Sequence, residues 1–312
     1  MYPVDLPDLS PTDITSSSER YLSALESGRL HKECLELPPC TYKSKATISA
    51  PNLSRLQLFD DQPVCVVLAL HSSDEQAEGL HVISYALILQ HKNLASYGFC
   101  LSVLALYLHD RWWHLEDVLR TSSLSRSGLV PFLGETCVQQ VESLTERLVV
   151  FLLSQVVEQP SEGEALFALH SHTESCKVLW REGQAVGFYS VKPKGSLLNC
   201  WSGACYLLPV LDTVLVRKSC RRRGFGLQML KDFCSSFTVD ETLGVSSPIS
   251  PSMAAVLRIF LQQHEEHREH LYEVEAPGGW AQRQNIWLNI QLGRYSWTHA
   301  GPDPTSEEFS ST

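Results

Sequence analysis

The junction between an apolar segment and an arginine-rich loop constrains the fold most strongly. Residues 206–216 are rich in β-branched and aliphatic side chains, which predicts a strand. Five of the seven residues in the following run, 217–223, are basic, and Gly224 and Gly226 come next. Apolar residues then recur at helical spacing over residues 226–237. The sequence therefore predicts a strand, a basic glycine-bearing loop and a helix in direct succession.

The loop has the form R-x-x-G-x-G, carried by Arg221, Gly224 and Gly226. The first N–H groups of a helix have no partner inside the helix, so a loop that opens a helix can bind a polyanion. Glycine allows close approach of the backbone, and arginine adds charge-assisted hydrogen bonds. The dinucleotide pattern G-x-G-x-x-G and the Walker pattern are absent from the sequence. A nuclear-localisation or nucleic-acid patch is the alternative interpretation of the basic run.

The charge of the whole chain argues against general nucleic-acid binding. With 25 basic and 35 acidic side chains, the formal net charge is −10, whereas nucleic-acid binders usually carry a basic excess. We therefore expect no nucleic-acid partner, and we favour phosphate binding by the loop. The ten cysteines form no C-x-x-C pair, and His264, His267 and His270 are better explained as a solvated helix end than as metal ligands. No metal site is predicted.

Hydrophobic periodicity predicts a mixed α/β chain. The predicted strands cover residues 64–70, 101–108, 176–180, 185–191, 206–216, 243–246, 270–275 and 284–290. The predicted helices cover residues 16–28, 111–119, 135–157, 226–237 and 251–263. No apolar stretch reaches the roughly 20 residues that a membrane span needs. The first five residues do not predict a signal peptide, so we expect an intracellular protein of the nucleus or cytoplasm.

The second half of the chain resembles the Gcn5-related N-acetyltransferases (GNAT). The resemblance rests on residues 183–191, residues 211–216 and the loop Arg221-x-x-Gly224-x-Gly226, and it covers about residues 135–290. It implies a mixed central sheet with flanking helices, and acetyl-coenzyme A as the cofactor. Its pyrophosphate would lie on the loop, and its pantetheine arm along the strand. The residues so implied in cofactor binding are Val214, Val216, Arg221, Arg222, Arg223, Gly224, Phe225 and Gly226.

The same resemblance implies transfer of an acetyl group to an amine, but it leaves the acid and base open. Asp212 lies on the motif strand, where many relatives place an acidic base, and the alternative, an ordinary strand or edge carboxylate, is the favoured interpretation. The thiolate is often protonated by a tyrosine on the later helix; here residues 251–263 contain none, and Phe260 occupies a comparable position. Two hypotheses remain: an N-acyltransferase with an unidentified protein or small-molecule acceptor, and a catalytically inactive interaction protein of the same fold.

Three further segments narrow the resemblance. Residues 186–193, 208–213 and 225–230 are similar to the small family with sequence similarity 169, in particular to its shorter form. That family contains the soluble lamin-associated protein of the nuclear envelope. The resemblance therefore implies nuclear-envelope proteins as partners.

The predicted organisation has four parts. They are an N-terminal helix and flank (1–30), an α+β region (31–134), the GNAT-like domain (135–297) and a disordered tail (298–312). Residues 77–102 do not match the longer relative and are interpreted as an insertion in the second part.

Overall fold

The computed structural model describes residues 1–29, 33–37, 45–59, 61, 64–72, 103–123, 126, 136–158, 167, 169–172, 174–198 and 203–295. The suggested insertion and tail lie outside these residues, and the boundary between residues 134 and 135 stays a prediction. The chain divides into two compact units, described separately below. The first comprises Met1–Phe188 and Leu215–Cys220, and the second Tyr189–Val214 and Arg221–Thr312. Across the described ranges, no helix combines the length and apolar character needed to cross a membrane.

The N-terminal part of the first unit contains a helix and two antiparallel sheets. The helix α1 (Pro11–Glu26) begins earlier than predicted because the Ser10 hydroxyl accepts a hydrogen bond from the Asp13 amide at 3.1 Å. The strands β1 (Cys34–Glu36) and β2 (Lys45–Thr47) pair with each other. A four-stranded sheet has the order β3-β4-β5-β6. Its strands are β3 (Leu53–Gln57), β4 (Val66–His71), β5 (Val103–Leu108) and β6 (Arg111–His114).

Residues 111–119 are a strand and a short helix, so the prediction of one helix is wrong. The turn between β5 and β6 holds His109 and Asp110 at φ of 51° and 57°, the left-handed pair that a tight hairpin favours. The indole N–H of Trp113 donates to the Leu108 carbonyl at 3.1 Å, which joins the two strands. Pairing with β5 therefore outweighs the local helical pattern. The helix that follows is α2 (Leu115–Val118).

The predicted helix at residues 135–157 is only partly correct. Its first residues form the strand β7 (Thr136–Gln140), and the helix α3 (Leu144–Leu152) continues into a π-helical turn at Leu153–Val157. A capping box starts α3. The Ser143 hydroxyl accepts from the Glu146 amide at 3.1 Å, and the Glu146 carboxylate accepts from the Ser143 amide at 3.0 Å. The helical spacing of the apolar residues therefore corresponds to a helix only after the cap at Ser143.

The core of the first unit lies around α3. Its apolar side chains are buried together with residues from β4 and β5. Glu146 is also buried, and its carboxylate lies 2.8 Å from the guanidinium of Arg126. A buried charge needs such a partner, because desolvation alone costs several kcal/mol.

The remaining strands follow, and each unit is described by itself. In the first unit, β7 pairs with β8 (Ser175–Arg181), which is followed by β9 (Gln184–Lys192) through the turn at Glu182 and Gly183. In the second unit the strand order is β9-β10-β11-β12-β13. The new strands are β10 (Val210–Val216), β11 (Leu243–Ser246), β12 (Leu271–Val274) and β13 (Arg283–Asn285). The pairs β10–β11 and β11–β12 are parallel and β12–β13 is antiparallel. The prediction of a mixed α/β fold is confirmed.

The helices of the second unit are α4 (Phe225–Ser236), α5 (Pro251–Gln263) and α6 (Ile286–Gln291). The first two confirm their predictions closely. The predicted strand at residues 284–290 is wrong beyond Asn285, because the Asn285 side chain accepts the Leu288 amide at 2.8 Å and caps α6 there.

Candidate functional site

The loop before α4 has an unusual backbone. Arg222 and Gly224 have φ of 62° and 83°, whereas Arg223 between them is not in the left-handed region. When consecutive residues alternate in the sign of φ, their N–H groups turn toward one side and form an anion-binding concavity. Gly224 is the N-cap of α4 and has no side chain to occupy the helix end. The loop of residues 221–226 therefore has the backbone form that suits a phosphate.

Among the predicted cofactor-binding residues of the loop, the first four differ in exposure from Phe225. Arg221, Arg222, Arg223 and Gly224 are exposed. Phe225 is only 8% exposed, so its side chain contributes to packing and a ligand could contact only its backbone.

Gly226 serves close packing of α4 against α5. A Cβ at this position would lie 3.2 Å from a methyl carbon of Val256, a tighter approach than side chains normally make. The second glycine of the motif therefore lies where the two helices meet, and a larger residue there would require Val256 to shift.

Two acidic residues that the sequence did not single out hold the start of the basic run in the first unit. The Glu158 carboxylate accepts from the Lys218 amide at 3.1 Å, and Glu158 is buried. Glu116 lies 3.3 Å from the guanidinium of Arg217. Arg217 is thus committed to an ion pair rather than to the loop that follows. The signal that could have revealed Glu158 is its position at the end of an apolar helical run.

The strand before the loop separates from its parallel neighbour. Val210 and Leu211 pair with Gly244 and Val245 of β11, and the pairing ends there although β10 continues to Val216. An extended ligand could use the backbone groups of the continuing strand. Among the predicted residues on this stretch, Asp212, Val214 and Val216 are all half-buried.

Asp212, the candidate base, is paired with a lysine. Its carboxylate lies 3.9 Å from the ammonium of Lys192 on β9, and both side chains are about a quarter exposed. On the same two strands, the Ser190 hydroxyl accepts from the Thr213 amide at 3.3 Å. Asp212 is therefore accessible, but it already has a cationic partner.

A buried tyrosine connects β9 with α4. Tyr189 is 1% exposed, and its hydroxyl donates to the Asp232 carboxylate. Burial raises the pKa of Tyr189, and the negative charge of Asp232 raises it further, so the hydroxyl stays protonated and remains a donor. This hydrogen bond attaches α4, the helix that follows the loop, to β9 of the sheet.

Replacing Tyr189 by phenylalanine is expected to lower the free energy of unfolding by about 1 kcal/mol, because Asp232 loses a buried donor. Urea denaturation followed by circular dichroism measures the change. Tyr272→Phe is the matched control, since Tyr272 is half-buried in the same unit and makes an edge contact with Trp280. An equal loss in both variants would show that the Tyr189 hydroxyl has no special role.

On α5, the position compared above with a proton-donating tyrosine is held by a buried phenylalanine. Phe260 is 1% exposed and packs against His264 and His267, with ring centroids 4.6 and 5.4 Å away. His264 also contacts Glu266, and His270 contacts the Glu241 carbonyl. Within the described residues, no group of three or more His, Cys, Asp or Glu side chains is arranged to hold a metal ion.

No protein-family model matches the chain. A GNAT family acetyltransferase from Streptococcus pneumoniae aligns with 43% of this chain and 92% of its own, at 14% identity and a TM-score of 0.27, which is too low to establish a common fold.

Two curated proteins are similar in sequence. "Protein FAM169BP" of Homo sapiens is 48% identical over 119 residues, which is 36% of this chain and 62% of that protein. "Protein FAM169B" of Mus musculus is 36% identical over 297 residues, which is 93% of this chain and 78% of that protein. Because the second similarity extends over nearly the whole chain and most of its relative, the chain belongs to the FAM169 family.

Proposed function

We propose that the chain binds acetyl-coenzyme A through residues 221–226 and transfers its acetyl group to an amine. The observation that carries this proposal is the alternation of φ across Arg222, Arg223 and Gly224 at the start of α4. Such a loop directs backbone N–H groups at one anion, and the helix dipole adds to the attraction. The pyrophosphate of the cofactor is the anion that the motif implies.

The exposed arginines supply the charge for this binding. Arg221, Arg222 and Arg223 form a local cationic surface on a chain whose net charge is −10. Guanidinium groups bind phosphate through paired, charge-assisted hydrogen bonds. Basic groups concentrated at the loop favour a compact polyanionic ligand over an extended nucleic acid, which would need a broader basic surface.

The strand β10 would hold the remainder of the cofactor. Its pairing with β11 ends at Leu211, so the strand beyond that residue, near Val214, is the candidate to bind an extended pantetheine arm. The fixed dipoles of its backbone would stabilise the charge that develops on the thioester oxygen. Binding at the loop and along one strand would orient the thioester relative to Asp212.

Asp212 is the candidate base. The bound thioester would supply an activated acyl carbon, so that a C–N bond would form as the C–S bond broke. The proton of the attacking amine would pass to the Asp212 carboxylate, the departing thiolate would take up a proton from water, and Asp212 would return its proton to the solvent. The ammonium of Lys192 lies 3.9 Å from this carboxylate.

A second candidate function is a non-catalytic interaction protein that retains cofactor binding or only the fold. The absence of tyrosine from α5 favours it, as does Phe260, which is buried against two histidines. The intracellular location and the nuclear-envelope partners stay predictions under either function.

Isothermal titration of the full chain with acetyl-coenzyme A tests binding. We expect saturable binding below millimolar concentration, and weak or no binding of acetyl-pantetheine, which lacks the pyrophosphate. Equal affinity for both ligands would mean that the loop does not bind the pyrophosphate. No heat at millimolar acetyl-coenzyme A would refute the proposal.

Asp212→Asn separates the two functions if binding is found. The enzyme hypothesis predicts acetyl transfer to some member of an amine and peptide panel, reduced about 100-fold or more in the variant, because general bases typically contribute that much. Cofactor affinity should be unchanged. A wild-type chain that binds the cofactor but acetylates no member of the panel favours the interaction protein.

A further inference from the structure

An open groove lies on the second unit, apart from the loop residues. Its volume is about 700 Å³. Its walls are the segment between α5 and β12 on one side, and Asn285 with α6 on the other. Its lining includes Glu265, Glu266, Arg268, Glu269, Trp287 and Leu288.

One wall of the groove, on α6, carries exposed apolar surface. Ile286 and Asn289 turn the inner face of α6 toward the protein, and both are buried. Leu288 in the groove is 55% exposed, and Leu292, one helical turn beyond it and outside the lining, is 56% exposed. A surface helix normally turns its apolar side chains toward the protein, so exposed ones such as these can contact an apolar group of a ligand.

Arg268 places a cation against this wall of the groove. The guanidinium of Arg268 lies 4.2 Å from the ring centroid of Trp287, in a cation–π contact. It also donates to the Leu261 carbonyl at 2.8 Å and pairs with Glu265 at 3.0 Å. Arg268 is therefore engaged, and its ion pair is with Glu265 rather than with Glu269 at the rim.

The charge of the lining is negative. Three glutamates and one arginine give +1 − 3 = −2. Glu266 contacts His264 at 3.2 Å, whereas Glu269 is exposed at the rim. The Nδ1 of His270 is 2.7 Å from the Glu241 carbonyl, and because a carbonyl only accepts, this nitrogen must carry the proton. A ligand with a positive group next to an apolar one complements this surface.

We propose that the groove binds a peptide segment in which a lysine or arginine lies beside aliphatic residues. The aliphatic stem of the basic side chain packs along Trp287 and Leu288, and its charged head reaches Glu266 and Glu269. A neighbouring aliphatic side chain extends past the groove toward Leu292, one helical turn beyond Leu288. Acidic peptides are excluded by repulsion, and purely apolar ones do not complement the negative charge of the lining.

Fluorescence anisotropy of the full chain with a labelled peptide of alternating lysine and leucine tests the proposal. We expect saturable binding that weakens with salt. Glu266→Gln and Glu269→Gln should each raise the dissociation constant about two- to fivefold, the range for exposed ion pairs. Glu275→Gln is the matched control, because Glu275 is exposed in the same unit but does not line the groove. It should leave the affinity unchanged.

Three results of the binding experiment would overturn the proposal. They are no binding below millimolar peptide, equal affinity for an alternating glutamate and leucine peptide, and the same loss in Glu275→Gln as in the groove variants. A dimer in sedimentation that Glu269→Gln dissociates would also overturn it, because the occupant would then be a second copy of the chain. No cofactor is added, so the result is independent of acetyl-coenzyme A binding.

Discussion

Gly224→Val is expected to weaken acetyl-coenzyme A binding about a hundredfold. Valine cannot adopt φ of 83° without a steric penalty, so the alternation across residues 222–224 would be lost. Two backbone hydrogen bonds to a charged phosphate, each worth about 1.5 kcal/mol at the lower limit, account for a change of that size. Isothermal titration measures it.

Gly195→Val is the matched control for this variant. Gly195 has φ of 85°, and a Cβ added there, like one added at Gly224, would meet no atom within 4 Å. Both variants therefore suffer the same local backbone strain, but Gly195 lies in a turn after β9, away in sequence from the loop. If Gly195→Val weakened binding equally, the loop conformation would not be the cause.

Gly244→Val is expected to lower the free energy of unfolding by about 3 kcal/mol, the upper part of the usual range for overpacking. A Cβ at Gly244 would lie 2.9 Å from methyl carbons of both Val210 and Val274, which are 1% and 2% exposed. These neighbours belong to β10 and β12, so neither can withdraw without moving a strand. Chemical denaturation should show a lower midpoint with an unchanged slope.

A double-mutant cycle separates this clash from a general cost of valine. Val210→Ala removes one of the two methyl groups that the new side chain would meet. The double variant Val210→Ala/Gly244→Val should therefore lose less stability than the sum of the two single variants. Strict additivity would contradict the proposed close approach at β10.

The strand, loop and helix at residues 206–237 could be predicted from sequence because each signal is local. Val210–Val216 is shorter than predicted, but Phe225–Ser236 nearly matches the prediction, and Leu243–Ser246 and Pro251–Gln263 match it fully. The resemblance to the family with sequence similarity 169 was also present in short motifs, and it is confirmed by the similarity to the mouse protein.

Helix and strand were confused where an apolar pattern suits both. Residues 111–114 and 136–140 have helical spacing but pair as strands with β5 and β8. The ladder hydrogen bonds come from residues distant in sequence, so no local pattern contains them. Residues 286–291 show the opposite error, because the single cap at Asn285 turned an apparent strand into a helix.

The sequence by itself determined the mixed α/β class, the family and the position of the basic loop. Only the tertiary structure decided that Arg217 is paired with Glu116, that Asp212 has Lys192 beside it, and that the pairing of β10 with β11 ends at Leu211. The physical reason is the same in each case. Propensity, charge and turn chemistry act between residues close in the chain, whereas ion pairs and strand register join residues that only folding brings together.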